Sequence, residues 1–437
     1  MKDTLSTPTF VDQIEEFSRT LPKNNVPTWV SESREKSLNR VKHIGFPTRR
    51  DEEWKYTNIS LALSRRYEFS SGQTEVKGEA LQPYLLDNTV PIVIVNGIIN
   101  NKLSSLKDLP KGVTFASLQE ALRNSSAELK ELFLNYKVED ESVFINLNKA
   151  LSVDGVVIKI PAKTVVEKCI HVLHVVNSKQ EILTVPRTVI ISGESSEATI
   201  LESYVSLSDE TIYLTNALTD IFLAKNATLY YSKAQKESLK SYHVGNTRIW
   251  QERDSNFQGF SLVSGAAMTR NNLDVVLNGE GAQSFLNALY SVYGTQHVDN
   301  HTSVDHRVPN CMSNQLYKGI LNGASRAVFN GKIFVRSIAQ KTNSYQLNKN
   351  LLLGKDCRVD TKPQLEIFAD DVKCTHGATI GQMNEEELFY LQTRAIGKQD
   401  ATRMLARGFA EDVLNQIKNE AVHKKLTEYL QPSFEKL

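Results

Sequence analysis

Cysteine is scarce and scattered. The 437 residues hold four, Cys169, Cys311, Cys357 and Cys374, and no two of them form a CxxC. A chain of this length without clustered cysteines is not a disulfide framework and reads as a protein of a reducing compartment. The scatter also excludes a self-contained zinc site or a ferredoxin-like cluster, whose ligands lie close together in sequence. Surplus charge is missing too. Lys and Arg number 51 against 50 Asp and Glu, a net charge of +1, so nothing marks a nucleic-acid or anionic-membrane footprint. No apolar run approaches the roughly 20 residues of a spanning helix. The opening MKDTLSTPTFVDQIEEFSRT carries acids early and has no apolar segment, so it matches neither a signal peptide nor an Arg-rich transit peptide.

Familiar catalytic signatures are absent as well. Gly331-Lys332 and Gly397-Lys398 are followed by the wrong residue for a phosphate loop and lack the upstream glycine. There is no GxGxxG after a strand and no GxSxG elbow. ATP hydrolysis is therefore not expected of this chain. A solenoid enzyme acting on polysaccharide would need paired carboxylates. Asp370 and Asp371 are adjacent, so on a strand they point to opposite faces and cannot pair.

What is present is patterned. At roughly 150 residues per domain, and with 41% hydrophobic residues, the chain has length for two or three domains. Residues 1–150 read as a helical and mixed region. FVDQIEEFSRTL and WVSESREKSLNRVKHI carry apolar residues at spacings of three and four, and FASLQEALRNSSAELKELFLNY reads as helix. RRDEEWKY (49–56) reads as a solvated helix start anchored by Trp54, or else as a charged binding face. VPIVIVNGIINNKLS reads as strand, Asn96-Gly97 turn and strand. From 151 to 380 the texture changes to short alternating strands such as GVVIKI, VLHVV, ATLYYSK and AVFNGKIFV, punctuated by Gly, Asn and Ser. That suggests a sandwich, barrel or solenoid. EATILES, NATLYYS, GAQSFLNA and SRAVFNG each lead from a small residue into an apolar strand, and their irregular spacing favours stacked rungs. Residues 381–437 return to helix. Asn384 and Glu387 form a capping-box pattern, Asp400 is placed to cap a second helix, and HKKLTEYL makes a third. Met404, Leu405, Phe409, Val413, Leu414 and Ile417 form one apolar stripe.

Two constellations bear chemistry. HVDNHTSVDHRVPNC holds His297, His301, His306 and Cys311. On separate parts of a rung these need not converge, and turn-satisfying polar groups are the simpler reading. His171 and His174 lie three apart, so on a strand they face opposite ways. In FADDVKCTHGAT, Cys374 and His376 fall on one face of a strand and Lys373 and Thr375 on the other. A thiolate and an imidazole there can hold one metal ion or the edge of a cluster, and they can equally be two packed side chains. They supply two ligands where an iron–sulfur cluster takes four, so a complete site would need another chain.

PQLEIFADDVKCTHGATIGQMNEEELFYLQTRAIG resembles the end of the core domain in the SufB/SufD family of iron–sulfur cluster assembly proteins. The resemblance extends through DNHTSVDHRVPNCMSNQLYKGILNGASRAVFNGKIFV and NKNLLLGKDCRVDTKPQLEI to PTRRDEEWKYT and the VNG of 95–97, and covers most of the chain. HGAT in place of HEAT resembles the SufD branch. So does Asn348-Lys349-Asn350, at the place where SufB carries a scaffold cysteine. The resemblance implies a mainly β fold, a right-handed parallel β-helix core flanked by N-terminal and C-terminal helical domains. It implies a non-enzymatic, cytoplasmic subunit that pairs with SufB through the β-helix. The C-terminal helices would dock the ABC-type ATPase SufC through Arg394, Met404 and Phe409. Cys374 and His376 would contribute to a transient cluster site shared with SufB. No cofactor would be held stably, while a homodimer of the isolated chain and reduced flavin on the complex both fit the family.

Overall fold

The computed structural model describes residues 9–21, 26–70, 74–105, 109–124, 126–135 and 141–437. The acidic opening at residues 1–8 and the end of the FASLQEALRNSSAELKELFLNY stretch lie outside them. The alternating strands stack into a parallel β-solenoid of about eight turns, built from two sheets. One sheet ends with Met268–Leu277, His297–His306, Arg326–Val335 and Arg358–Ile367. The other ends with Gln283–Val292, Met312–Leu321, Asn343–Leu352 and Lys373–Gln382. Glu197, Thr228, Asn256, Gln283, Met312, Asn343 and Lys373 stand in one register column, so a turn takes 27 to 31 residues. The apparent repeats sample both walls. EATILES, NATLYYS and GAQSFLNA belong to the second sheet and SRAVFNG to the first, which is why their spacing is irregular.

Alternation with period two decides what each wall buries. Inward residues form one long core that includes Ile200, Leu229, Phe257, Leu286, Tyr290, Tyr317 and Phe329. Outward residues of the early turns are covered by helices. Phe10, Ile14, Trp54, Phe144 and Leu147 pack onto Leu214, Tyr242 and Met268 of the first sheet. Ala406, Ala410, Val413, Leu426, Tyr429 and Leu430 pack onto Leu201, Phe260, Leu289 and Ile320 of the second. Burying a large aliphatic side chain is worth about 1.5–3 kcal/mol, so each helical layer is held by many such contacts. No helix among the described residues is long and apolar enough to cross a membrane.

The N-terminal part lends strands to both sheets. Val90–Val95 pairs in parallel with Ile170–Val176 and folds back onto Ile98–Ile99. The turn is Asn96-Gly97, with φ of 50° and 83°, the left-handed pair that a tight hairpin needs and that Asn-Gly accepts readily. Three local expectations are corrected. FASLQEALRNSSAELKELFLNY opens as a strand, Thr114–Ser117, before helices Leu118–Asn124 and Ser126–Asn135. Ser117 and Glu120 cap one another reciprocally at 3.1 and 3.2 Å, which starts the helix there. The helix Lys398–Leu414 is capped by Gly397, and Asp400 sits inside its first turn facing Arg403 at 3.3 Å. Met404 leaves the apolar stripe and is 51% exposed, because the helix buries Ala401, Ala406 and Ala410 instead.

Candidate functional site

Cys374 and His376 lie on Lys373–Gln382, the last strand of its sheet. Among the described residues that strand pairs with Asn343–Leu352 on one side and with no strand on the other; Arg358–Ile367 ends the first sheet in the same way. In register, Cys374 sits beside Ser344 and His376 beside Gln346. Ser344 and Gln346 are buried wall residues of the lumen, so Cys374 and His376 face the lumen at its open end. The apolar layers under the helices extend to Leu351 of the second sheet and Met268 of the first, and the last strand is exposed or half-buried throughout.

The two side chains differ. Cys374 is half-buried against Ile333, Val335, Ala339 and Ala369. Burial pushes its thiol up, and the Ser344 backbone opposes that. His376 is exposed, so a ring nitrogen is available to a ligand from outside. Behind Cys374 runs a hydrogen-bonded chain, His306 Nε2 to Ser313 Oγ at 2.9 Å and Ser313 Oγ to Ser344 Oγ at 2.7 Å. Asn348 and Asn350 also face the lumen and are locked together. Asn348 Nδ2 donates to Tyr290 Oη at 3.0 Å, Tyr290 Oη donates to Asn350 Oδ1 at 2.5 Å, and Asn350 Nδ2 donates to Asn348 Oδ1 at 2.8 Å.

The other three cysteines are buried free thiols. Burial raises Cys169 to about 12 and Cys311 to about 11, so neither offers a thiolate near neutrality. Among the described residues no three His, Cys, Asp or Glu side chains converge as a metal site. Cys374 and His376 can therefore supply at most part of a ligand set.

His297, His301 and His306 all lie on one strand, not on different parts of a rung. His306 faces the lumen, while His297 and His301 point outward to the RRDEEWKY segment. His301 contacts Glu53 and Asp299, each at 3.0 Å. Thr57 bonds His297 at 2.8 Å and also donates to Asp299. Arg270 donates to Asp299 at 2.6 Å and to the Glu53 carbonyl at 2.7 Å. This cluster clasps the N-terminal segment to the solenoid, with Trp54 buried beneath Arg270 at 4.6 Å. His171 and His174 do face opposite ways: His171 meets Ser203 on the outer face at 3.0 Å, and His174 meets Glu202 in the lumen at 2.9 Å.

In the C-terminal helices Arg394 and Met404 are exposed, whereas Phe409 is half-buried under Lys318, whose Nζ lies 4.1 Å from the ring and 2.7 Å from the Phe409 carbonyl. Phe389 and Tyr390, 68% and 58% exposed, extend this surface. The stripe count missed them because Glu385–Thr393 buries none of its residues.

The fold is a parallel β-solenoid flanked by helical segments, and its open end presents a thiol and an imidazole. Residues 174–409 match the SUF system FeS cluster assembly SufBD core domain, and residues 6–172 match the SufBD protein N-terminal region. The chain belongs to the SufBD family of iron–sulfur cluster assembly proteins. It is 32% identical to the iron–sulfur cluster assembly protein SufD of Escherichia coli, over 89% of each chain. It is 34% identical to an iron–sulfur cluster assembly SufBD family protein of Synechocystis, over 86% of this chain and 84% of that one. The SufD protein of Bacillus subtilis is 24% identical over 98% of this chain and 99% of its own.

Proposed function

We propose that this chain is a SufD-type accessory subunit that pairs with a SufB-type chain and lends Cys374 and His376 to a cluster site between them. One observation carries the reading: the two residues share the lumen face of a terminal strand whose outer edge pairs with no other strand among the described residues. An exposed strand edge is a template for pairing with another chain, so a second solenoid added there would bring its ligands to the same lumen. The cluster is cargo. His376 is its neutral imidazole ligand and Cys374 its thiolate ligand, the thiol losing its proton as the metal binds. Ligands divided between two chains suit a labile site that a movement of the subunits can open. ATP hydrolysis falls to a SufC-type partner docked on Glu385–Thr393 and Lys398–Leu414, where Phe389, Tyr390, Arg394 and Met404 are exposed. Buried free thiols suit a reducing cytoplasm.

The test is replacement of His376 by Ala in the anaerobically purified complex, with iron content and absorption spectra recorded. The expected result is a complex of unchanged composition with its cluster signal lost. A complex that falls apart makes His376 structural, and a cluster that survives loss of both Cys374 and His376 leaves the chain an assembly protein without metal contact.

A further inference from the structure

Below His376 lies an amide with no partner. Gln346 occupies the matching lumen position one turn earlier and is wholly buried. Neither its Oε1 nor its Nε2 has a hydrogen-bond partner among the described residues. Its strand neighbours are engaged: Ser344 is bonded to Ser313, and Asn348 and Asn350 are closed around Tyr290. The opposite wall leaves room for the amide. A Cβ at Gly331 would come within 2.0 Å of Gln346 Nε2 and 2.8 Å of the Phe329 ring. The backbone of Gly331 is not in the left-handed region, so it is the space and not the conformation that calls for glycine. Gln315, a turn earlier in the same column, takes a hydrogen bond from Thr302 at 2.7 Å. Two stacked glutamines thus lead through the lumen to His376.

We propose that Gln346 is a positioning residue of the assembly site, an inference that rests on the reading of Cys374 and His376 given above. A histidine that binds metal through one ring nitrogen carries N–H at the other, and that N–H is normally held by an acceptor in the layer behind. Gln346 Oε1 is this acceptor. Its Nε2 donates to the anionic sulfur alongside, the Cys374 thiolate or a bound sulfide. One orphaned acceptor and one orphaned donor match the two groups that a loaded site presents. Gly331 lets the amide sit in the lumen at the depth of His376 instead of being pushed along the wall.

The test compares Gln346→Leu, Gln346→Glu and Gly331→Ala in the full complex, loaded anaerobically with ferrous iron and sulfide. Iron retention against a chelator and Mössbauer spectra are the readouts, alongside the melting temperature. Gln346→Leu should weaken iron retention about 10- to 100-fold and alter the spectrum, with assembly and melting temperature kept. Gln346→Glu keeps the acceptor for the ring N–H but replaces the donor by a carboxylate facing the sulfur, and should recover only part of the retention. Gly331→Ala displaces the amide without removing it and should reproduce part of the loss. Wild-type retention and spectrum in Gln346→Leu would overturn the proposal, as would a lowered melting temperature with retention unchanged. His376→Ala serves as the control. If it too retains a wild-type cluster, the assembly-site reading fails; if it loses the cluster while Gln346→Leu does not, only the role of Gln346 fails.

Discussion

His301 holds Glu53 with Nδ1 at 3.0 Å while its Nε2 lies 3.0 Å from Asp299, so one ring joins a loop of the N-terminal region to the solenoid wall. Both ring nitrogens face carboxylates, and Arg270 on the neighbouring strand opposes them. The carboxylates win: Asp299, first by its charge, raises His301 above its ordinary value against the cost of burial. Asp299 is in turn held far below the carboxylate range, chiefly by Arg270 and His301.

The sign of the pH effect follows. A raised histidine contributes stability that is fully present below its ordinary pKa of about 6.5 and is lost as pH climbs through the raised value. The clasp on residues 49–57 should therefore loosen as pH rises above the ordinary histidine range, before the solenoid itself responds. Hydrogen exchange of peptides covering 49–57 should speed up between pH 6 and 8.5 by more than the intrinsic rate, and His301→Gln should remove that extra dependence. Equal protection across the range in both proteins would mean the ring stays neutral.

The buried neutral histidines act in the opposite direction. Burial lowers His171 to about 3 and His306 to about 4. On unfolding each takes up a proton below pH 6.5 that the folded chain refuses, so stability falls with acid by about 1.4 kcal/mol per pH unit per histidine. Below its ordinary pKa His301 becomes protonated in the unfolded state as well as the folded one, so its own slope fades toward acid. Denaturant midpoints should drop steadily from pH 6.5 to 4.5, and His306→Gln should flatten the dependence by about one histidine's share. An unchanged slope would place the acid sensitivity elsewhere.

Glu202 is the most heavily committed charge in the lumen. It is fully buried and accepts from His174 at 2.9 Å, Thr188 at 2.7 Å, Tyr204 at 3.0 Å and Thr219 at 3.0 Å, and also from Tyr231. Burial alone would raise its pKa; the hydrogen bonds from His174, Thr188 and Tyr231 and the nearby charge of His174 bring it to about 2. Replacing it by Leu strands those donors inside the solenoid. The expected cost is about 3–5 kcal/mol, read as a large fall in the denaturant midpoint. Glu202→Gln keeps the shape but turns a donor toward hydroxyl donors, and should fall between the two. A Leu variant as stable as wild type would show that the lumen repacks around the loss.

Much of this was legible in the sequence, for identifiable reasons. Period-two alternation exposes strands, and the same rule put Cys374 and His376 on one face and His171 and His174 on opposite faces. The closure of the strands into a solenoid was only faintly written, because a turn takes 27 to 31 residues and the repeat signal mixed both walls. The histidine clasp was not legible: its partners Glu53 and Thr57 lie some 240 residues away in sequence. Gln346 was missed for the same reason. Its relation to His376 is a spacing of one whole turn, which is visible only once register is known. Phe409 looked like a surface anchor, but it is half-buried under Lys318, a contact between strand and helix that no local pattern encodes.

That last contact separates binding from stability in the C-terminal helices. Phe389 and Met404 touch little of their own chain, so Phe389→Asp together with Met404→Asp should leave the melting temperature within about a degree, since exposed substitutions usually cost no more than ~0.5 kcal/mol. If these helices dock an ATPase subunit, the same pair should abolish its recovery in an anaerobic pull-down, because two carboxylates would enter an apolar contact unpaired. Phe409→Ala should behave in the reverse manner. It strips the ring from beneath Lys318, whose Nζ also bonds Asp412 at 2.7 Å, and leaves a gap at the edge of the apolar layer that contains Val413 and Ile320. A loss of about 1–2 kcal/mol is expected from a half-buried aromatic, with the ATPase still captured at low temperature. Capture that survives the double aspartate variant but fails with Phe409→Ala would move the docking surface from the exposed flank of the helices to their junction with the solenoid.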